Sequence, residues 1–485
     1  MGSAVFFRAL AVIFSKGFGW HDDHFLVIEA AQSWVDGTDY NRWLPMYGNT
    51  SPSGHSFFYP GIHFIFLWCM KWIGMTVPQH KMMIIRLIHA LLSLIVVSSG
   101  YKIAEKLDGR KSATVVGLML AMYFFMPFLS VRNLVEVACI PFLMLSCRYI
   151  ILRKEENGIF RVFFIAGVFA GIAMCVRFQS VIFVGGIGLA LLMQKKWKET
   201  FFLAFGTLVF FGLFQGLNDY LIWGKPFVEF IGYIQYNIEN SRNYIENSWY
   251  SYLLVILGIL IPPVSIFLFF GFFRMWKKHL ILFLPSLLFL IFHSYFPNKQ
   301  ERFILPIIPF IIISGVIGWR NFAEKSDFWK TRTKLLNRLY MFSVVINFIA
   351  LPFITFMYSK RARVESMVYL SADEHIKALV MEDSNHPDVK MAPRFYLKKW
   401  IILYEIWQDR SPEIFRDAFK NPATSPDYIL FYEDRKLDER VETMKQFFPD
   451  IHPETIIYPG FIDNLLYKIN PNNVNQTVYI YKTKK

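Results

Sequence analysis

Gly19-Trp20-His21-Asp22-Asp23-His24-Phe25 is a short polar stretch near the start of a chain that otherwise runs through long apolar segments. An ionised Asp at the centre of a bilayer costs roughly 2.5–3.5 kcal/mol on insertion scales, so two adjacent acids beside an apolar segment belong in water or in a polar cavity at a membrane edge. The pair marks a candidate site facing one side of a membrane.

The 485 residues are 54% hydrophobic and 18% aromatic, with a mean hydropathy of +0.35, which excludes an ordinary soluble globular chain. Runs such as 91–97, 207–213 and 304–313 recur with little interruption, and about 20 apolar residues suffice to cross about 30 Å of hydrocarbon. The expected fold class is an α-helical polytopic membrane protein, with eleven spans near 3–19, 83–101, 112–130, 134–152, 162–177, 179–193, 201–222, 250–273, 279–296, 303–319 and 339–357. The N-terminus reads as an uncleaved first span.

Segment 57–73 is apolar enough to span, yet it opens with Tyr59-Pro60-Gly61 and carries His63 and Lys71. Read as a half-embedded helix, it lets the basic clusters around 102–111, 153–161, 195–198, 274–278 and 320–338 all fall on one side, which the positive-inside rule makes cytoplasmic. The opposite side then receives the first extracytoplasmic loop, 20–82, together with 130–133, 223–249, 296–302 and the polar tail. The expected domains are a transmembrane catalytic domain over 1–357 and an extracytoplasmic soluble domain over 358–485. In the tail, β-rich runs at 427–431, 455–458 and 477–481 and helix-like stretches at 372–381, 412–419 and 437–447 suggest a small α/β domain. The net charge of +14 is accounted for by basic loops at a lipid surface, so the bilayer is the expected partner and nucleic acid is not. Cys69, Cys139, Cys147 and Cys175 show no CxxC spacing and read as small buried hydrophobes. Asn49 and Asn475 head Asn-x-Ser/Thr triplets, too common a pattern to decide the compartment.

Sorted by side, the unusual polar residues gather in one compartment: Asp22, Asp23 and His24; Arg132, Asn133 and Glu136; Arg177 and Gln179; Asp219; His293; and Lys299 with Arg302. A carboxylate such as Asp22 or Asp23 can take the proton of an attacking hydroxyl. Arg302, Lys299 and Arg177 can hold a leaving phosphate. Each has a plainer reading: the Asp pair can cap the helix that begins near Phe25, Arg302 can snorkel, and Arg132 and Arg177 can pair with Glu136. His21 and His24 with the two Asp could in principle hold a divalent ion, but a third, separated ligand is missing, and neither a metal nor another cofactor is expected.

Four segments in order resemble a known family. His21-Asp22-Asp23-His24-Phe25 with Glu29 and Gly37-Thr38-Asp39-Tyr40 resembles a first lumenal loop motif of Pro-Asp-Glu-His/Tyr-Phe type. Ser130-Val131-Arg132-Asn133-Leu134-Val135-Glu136 resembles a Ser-Arg-Thr/Asn-x-x-Glu span start. Asp219 through Trp223-Gly224, Tyr236-Asn237 and Ser248-Trp249-Tyr250-Ser251-Tyr252 resembles an Asp…Tyr-Gly…Phe-Asn…Trp-Tyr-x-Tyr segment. His293 with Lys299-Gln300-Glu301-Arg302-Phe303-Ile304-Leu305-Pro306 resembles a His-x-Lys-Glu-x-Arg-Phe-x-x-Pro signature. The chain is thus similar to the GT-C glycosyltransferases, and within them to the lipid-phosphate-mannose-dependent α-mannosyltransferases of glycosyltransferase family 22, which extend GPI anchors and N-glycan precursors. It departs from the pattern at His21 in place of Pro, at Asp23 in place of Glu, in lacking Thr-Trp-Glu-Trp after Tyr40, and in an insertion between His293 and Lys299.

The resemblance implies an inverting transfer of a sugar, mannose in the family, from a polyprenyl or dolichyl phosphate donor to a hydroxyl of a glycan or glycolipid acceptor. It implies Asp22 as general base, Asp23 as the group orienting base or acceptor, Arg302, Lys299 and Arg177 as donor-phosphate ligands, and His24, Arg132, Asp219, Trp249 and His293 as sugar and acceptor contacts. The soluble tail, unmatched in eukaryotic members, favours a bacterial cytoplasmic membrane with the active site facing outward, the alternative being the lumenal face of the endoplasmic reticulum. A flippase of lipid-linked sugars is the competing class. Such transporters often show paired similar halves and broken mid-membrane helices, and the sequence shows neither.

Overall fold

A computed structural model describes all residues except 46–51, 53, 155, 157, 244–245, 389–390, 471–476 and 485. The triplets headed by Asn49 and Asn475 therefore lie outside the described residues. The chain divides into two compact units. The first comprises Met1–Val12, Asn41–Ile65 and Ile84–Thr355, and the second Ile13–Tyr40, Phe66–Met83 and Phe356–Lys485.

Among the described residues, five helices are long and apolar enough to cross a membrane: Pro78–Asp108, Ile159–Val176, Trp197–Trp223, Glu301–Ala323 and Thr333–Thr355. Gly2–Phe14, Ser180–Met193 and Leu280–Tyr295 are shorter apolar helices. The expected single span at 250–273 is instead two helices, Ser251–Ile259 and Val264–Arg274, bent by 119°. Pro262 and Pro263 lie at the bend; proline supplies no backbone N–H and its ring blocks a continuing helix. The stretch expected to span at 112–130 is likewise interrupted, helical over Arg110–Met122 and again over Met126–Leu129. In place of one span at 134–152 there is a turn of helix at Val135–Ala138 followed by Ile140–Ile151. Phe58–Trp72 has 15 residues, which at 1.5 Å per residue is about 22 Å, short of the hydrocarbon thickness.

Packing in the first unit relies on missing side chains. A Cβ placed on Gly206 would stand 2.2 Å from the Phe164 carbonyl oxygen, and one on Gly167 2.1 Å from that of Leu203, so Ile159–Val176 and Trp197–Phe211 meet backbone to backbone. Val264–Arg274 and Ile308–Ala323 cross in the same way, with a Cβ on Gly318 only 2.0 Å from the Gly271 oxygen. Lipid tails are as apolar as leucine, so close packing between small residues replaces the hydrophobic drive between helices.

The second unit contains a five-stranded sheet of β1 (Ala378–Asp383), β2 (Ile402–Trp407), β3 (Tyr428–Tyr432), β4 (His452–Ile457) and β5 (Val478–Lys482), in the order β2-β1-β3-β5-β4. β1 runs parallel to β2 and β3, pairing Ala378 with Ile402 and Leu379 with Tyr428. β5 runs antiparallel to β3 and β4, and the β4 register shifts between Pro453 and Thr455. Val380, Ile406, Ile429 and Phe431 pack against Phe419, Val441, Met444 and Phe448. The strands expected at 427–431, 455–458 and 477–481 correspond to β3, β4 and β5, and helices form at Arg416–Lys420 and Leu437–Lys445. The helix expected over 372–381 is corrected: from Ala378 the chain is β1, buried at all six positions between two neighbours. A central strand covered on both faces is continuously apolar, which periodicity alone does not separate from a buried helix.

Gly206→Leu is expected to destabilise the protein by about 1–3 kcal/mol through overpacking against Phe164. Phe205→Leu, at an exposed neighbouring position, serves as the control. Melting midpoints in detergent check this, and equal midpoints for the two variants contradict the close crossing.

Candidate active site

In the first unit, three charged side chains converge from separate elements. Glu136 comes from the turn Val135–Ala138, Arg177 follows the helix Ile159–Val176, and Arg302 stands in the tight helical turn Glu301–Ile307. Glu136 Oε1 lies 3.8 Å from Arg177 Nη2 and 3.8 Å from Arg302 Nε. All three are at most 5% exposed. Arg177 also donates from Nη1 to the Phe303 carbonyl at 3.2 Å and from Nε to Gln179 Oε1 at 3.0 Å. Gln179 in turn donates to the Tyr233 hydroxyl. Arg302 Nε donates to Gln300 Oε1 at 2.9 Å, and Tyr252 fixes Gln300 by donating to its carbonyl at 3.1 Å. Both guanidinium groups lie over the Phe303 ring, at 5.6 and 5.4 Å.

Two cations share one carboxylate here. Glu136 Oε2 and Arg177 Nη2 make no hydrogen bond among the described residues. Buried charges are costly unless they are paired, and a cluster of two guanidinium groups on one carboxylate has the chemistry to meet an oxyanion. His293 stacks on Phe289 at 4.1 Å and bonds its carbonyl through Nδ1 at 2.9 Å; Phe289 also lies 5.7 Å from the Arg177 guanidinium. Arg177, Arg302 and His293 are thus brought into one neighbourhood.

The other residues expected to act in this unit are placed differently. Lys299 is buried and donates to the Phe296 carbonyl at 2.8 Å, and burial holds its ammonium below the usual range. Trp249 is exposed. Arg132 lies over the Phe128 ring at 4.2 Å and lines a small cavity with Arg8, Leu129, Pro141 and Leu305. Asp219 belongs to a network of its own. It accepts from Gln215 Nε2 at 2.6 Å and from the Glu229 backbone N–H at 3.0 Å, while Glu229 accepts from Phe57 N–H, Gln215 and Trp223 at 2.9, 2.8 and 3.1 Å.

In the second unit, His21–Asp23 begins a helical stretch that widens to π geometry over His24–Glu29 and returns to α over Ala30–Val35. π turns collect at functional sites, and this one sets His24 Nε2 3.3 Å from Glu29 Oε1, five residues on. Asp22 is half-buried. Asp23 is buried and accepts the Gly19 and Trp20 backbone N–H groups at 3.0 and 3.1 Å, which is the capping arrangement. His24 is enclosed by Phe18 and Tyr396, stacked at 4.7 and 5.4 Å. Of the two acids, Asp22 has the accessibility a general base needs. Sequence reading passes over Glu229 as the partner of Asp219; the ten-residue separation gives no periodic signal. Among the described residues no three His, Cys, Asp or Glu side chains gather to hold a metal ion.

Burial first, and the neighbouring Asp219 second, push the Glu229 carboxyl from 4.5 up to about 8. The folded chain therefore holds this proton more tightly than the unfolded chain. The group's contribution to stability is full below about pH 4.5 and is lost as pH rises through about 8. Glu229→Gln should flatten the fall of the melting midpoint across that window, and an unchanged slope would contradict the assignment.

Comparison with known proteins returns the same family that the motifs resemble. A family model of the Alg9-like mannosyltransferase family matches residues 4–390. GPI mannosyltransferase 3 of Saccharomyces cerevisiae is 29% identical over 204 residues, 39% of this chain and 32% of that protein, so the match spans about a third of the relative's length. ArnT from Cupriavidus metallidurans bound to undecaprenyl phosphate is similar in structure, with a TM-score of 0.64 and 11% identity over 99% of this chain and 96% of that one. The Archaeoglobus fulgidus oligosaccharyltransferase is similar with a TM-score of 0.54 and 9% identity over 91% and 69% of the two chains. These likenesses show a GT-C fold in a multi-pass membrane protein, and the family match, which covers most of the sequence, shows that the chain belongs to the Alg9-like mannosyltransferase family.

Proposed function

We propose that this protein transfers a mannosyl residue from a polyprenyl phosphate donor to a hydroxyl of a glycan or glycolipid acceptor, with inversion. The observation that carries the reading is the pair Arg177 and Arg302 on the single carboxylate of Glu136. A leaving phosphate gains negative charge as the glycosidic bond breaks, and fixed guanidinium groups in a desolvated site stabilise that charge without reorganising. The family match and the likeness to a structure bound to undecaprenyl phosphate support a lipid-linked donor.

In this scheme the acceptor hydroxyl attacks the sugar C1 on the face opposite the phosphate. The new C1–O bond forms as the bond to the phosphate oxygen breaks, and one such displacement inverts the centre. The hydroxyl proton passes to the Asp22 carboxylate. The bonding electrons leave with the phosphate, whose negative charge meets Arg177 and Arg302. Glu136 keeps the two guanidinium groups from repelling each other while the site is empty, and Asp23 holds the turn that presents Asp22. We read the active face as extracytoplasmic, from the side on which the basic clusters fall, and the membrane as the bacterial cytoplasmic membrane, because the tail is unmatched in eukaryotic members, the alternative being the lumenal face of the endoplasmic reticulum.

Purified protein given a polyprenyl-phosphate mannose donor and glycolipid acceptors should release lipid phosphate and form a mannosylated product detectable by mass spectrometry. Asp22→Asn should lower kcat by about 10²–10⁴-fold at an unchanged melting midpoint. Undiminished turnover removes Asp22 as base, and movement of lipid-linked sugar across vesicles without a glycosidic product supports a flippase instead.

A further inference from the structure

The second unit contains a cleft of about 220 Å³ that the transfer chemistry above does not use. At about 30 Å³ per water, it has room for roughly seven waters, enough for a phosphate group with part of a sugar. Its walls come from distant parts of the sequence: Gln32 and Asp36 at the end of the Ala30–Val35 helix, Lys71 and Lys81 on either side of the 73–77 turn, and Arg394, Lys398 and Trp400 from the tail.

Charge in the cleft is unbalanced, with four cations facing one carboxylate. That carboxylate is already engaged: Asp36 accepts from Gln32 Nε2 at 3.0 Å and from Trp400 Nε1 at 3.0 Å, and lies 3.9 Å from Lys71. Lys71 Nζ is turned towards the Val35 carbonyl at 2.9 Å, and the buried Lys81 towards Gln32 Oε1 at 3.0 Å, both neutral acceptors. Arg394 lies over the rings of Tyr40 and Trp400, at 5.0 and 5.4 Å, and its buried Nε makes no hydrogen bond among the described residues. The two rings stack on each other at 5.5 Å. A half-buried guanidinium lying over two aromatic rings can offer bidentate contacts to an oxyanion, and ammonium groups add point charge. Trp400, a half-buried aromatic beside it, suits the apolar face of a sugar ring.

We infer that this cleft binds a phosphate ester, with Arg394, Lys71, Lys81 and Lys398 holding the phosphate and Trp400 beside the group that bears it. Its use as an acceptor subsite, selecting acceptors that carry such a phosphate, rests on the transferase reading; the binding itself does not. The phosphate can belong to a lipid headgroup or to a soluble ester.

The test uses the full-length protein in phosphatidylcholine nanodiscs. Inorganic phosphate is titrated by calorimetry, and retention of phosphatidylglycerol is read by native mass spectrometry. Lys71→Gln combined with Arg394→Gln should weaken binding by about tenfold or more, and Lys71→Arg should retain it. Lys398→Gln, at an exposed position, should weaken binding by about twofold. Binding of phosphate alone assigns a soluble ester and binding of phosphatidylglycerol alone a lipid headgroup; either supports the cleft. Phosphate held at Arg177 and Arg302 is told apart because it survives the cleft variants, so failure of one site is distinguishable from failure of the other. Absence of binding to both probes, or equal affinity in the correctly melting double variant, overturns the inference.

Discussion

Glu136 brings its carboxylate into a space that it shares with two guanidinium groups, and three separate helical elements converge there. Neither arginine forms a close, geometrically ideal pair with it; both stand at 3.8 Å, while Arg177 donates to the Phe303 carbonyl and Gln179 and Arg302 donates to Gln300. A buried pair with ideal geometry would hold its donors closed, whereas a carboxylate shared at 3.8 Å by two guanidinium groups can yield to another anion in the reading proposed above. Gln179 and Gln300, themselves held by Tyr233 and Tyr252, fix the two guanidinium groups in place. The same surroundings explain why loss of the Glu136 carboxylate is expected to be felt in folding: two buried cations would then face each other.

Such precision needs helices that do not drift, and the glycine contacts supply it. Gly167 and Gly206, and on another crossing Gly271 and Gly318, let backbones approach where any side chain would collide with a carbonyl oxygen. Within the second unit, Glu29 has a comparable organising role. It accepts the Phe395 backbone N–H at 3.0 Å and faces His24, so the polar stretch that holds Asp22 is tied to the tail by a hydrogen bond and by ring stacking on Tyr396. The tail is therefore more than an appended soluble domain; residues 13–40 and 66–83 pack with it as one unit.

Some of this architecture is legible in the sequence because it obeys local rules. Long apolar runs mark the membrane class, the order of Asp22, Arg132, Asp219 and Arg302 in their motifs marks the family, and short runs rich in β-formers mark β3, β4 and β5. Other parts depend on contacts that no local pattern encodes. Ile261-Pro262-Pro263 breaks a run that hydropathy alone reads as one span. Ala378–Asp383 is a strand because neighbours pair with it on both sides, although its residues suit a helix. The Asp219–Glu229 network and the cleft of Lys71, Arg394 and Trp400 join positions ten and more than three hundred residues apart, so composition and spacing are silent about them. Conversely, His24 stands out in the motif, yet its ring is enclosed by Phe18 and Tyr396.

Cryo-electron microscopy of the protein with bound polyprenyl phosphate tests the central claim most directly. The account predicts the lipid phosphate within about 4 Å of both the Arg177 and Arg302 guanidinium groups, with Glu136 displaced or still shared between them. Lipid phosphate bound elsewhere, with both arginines still closed on Glu136, would contradict it.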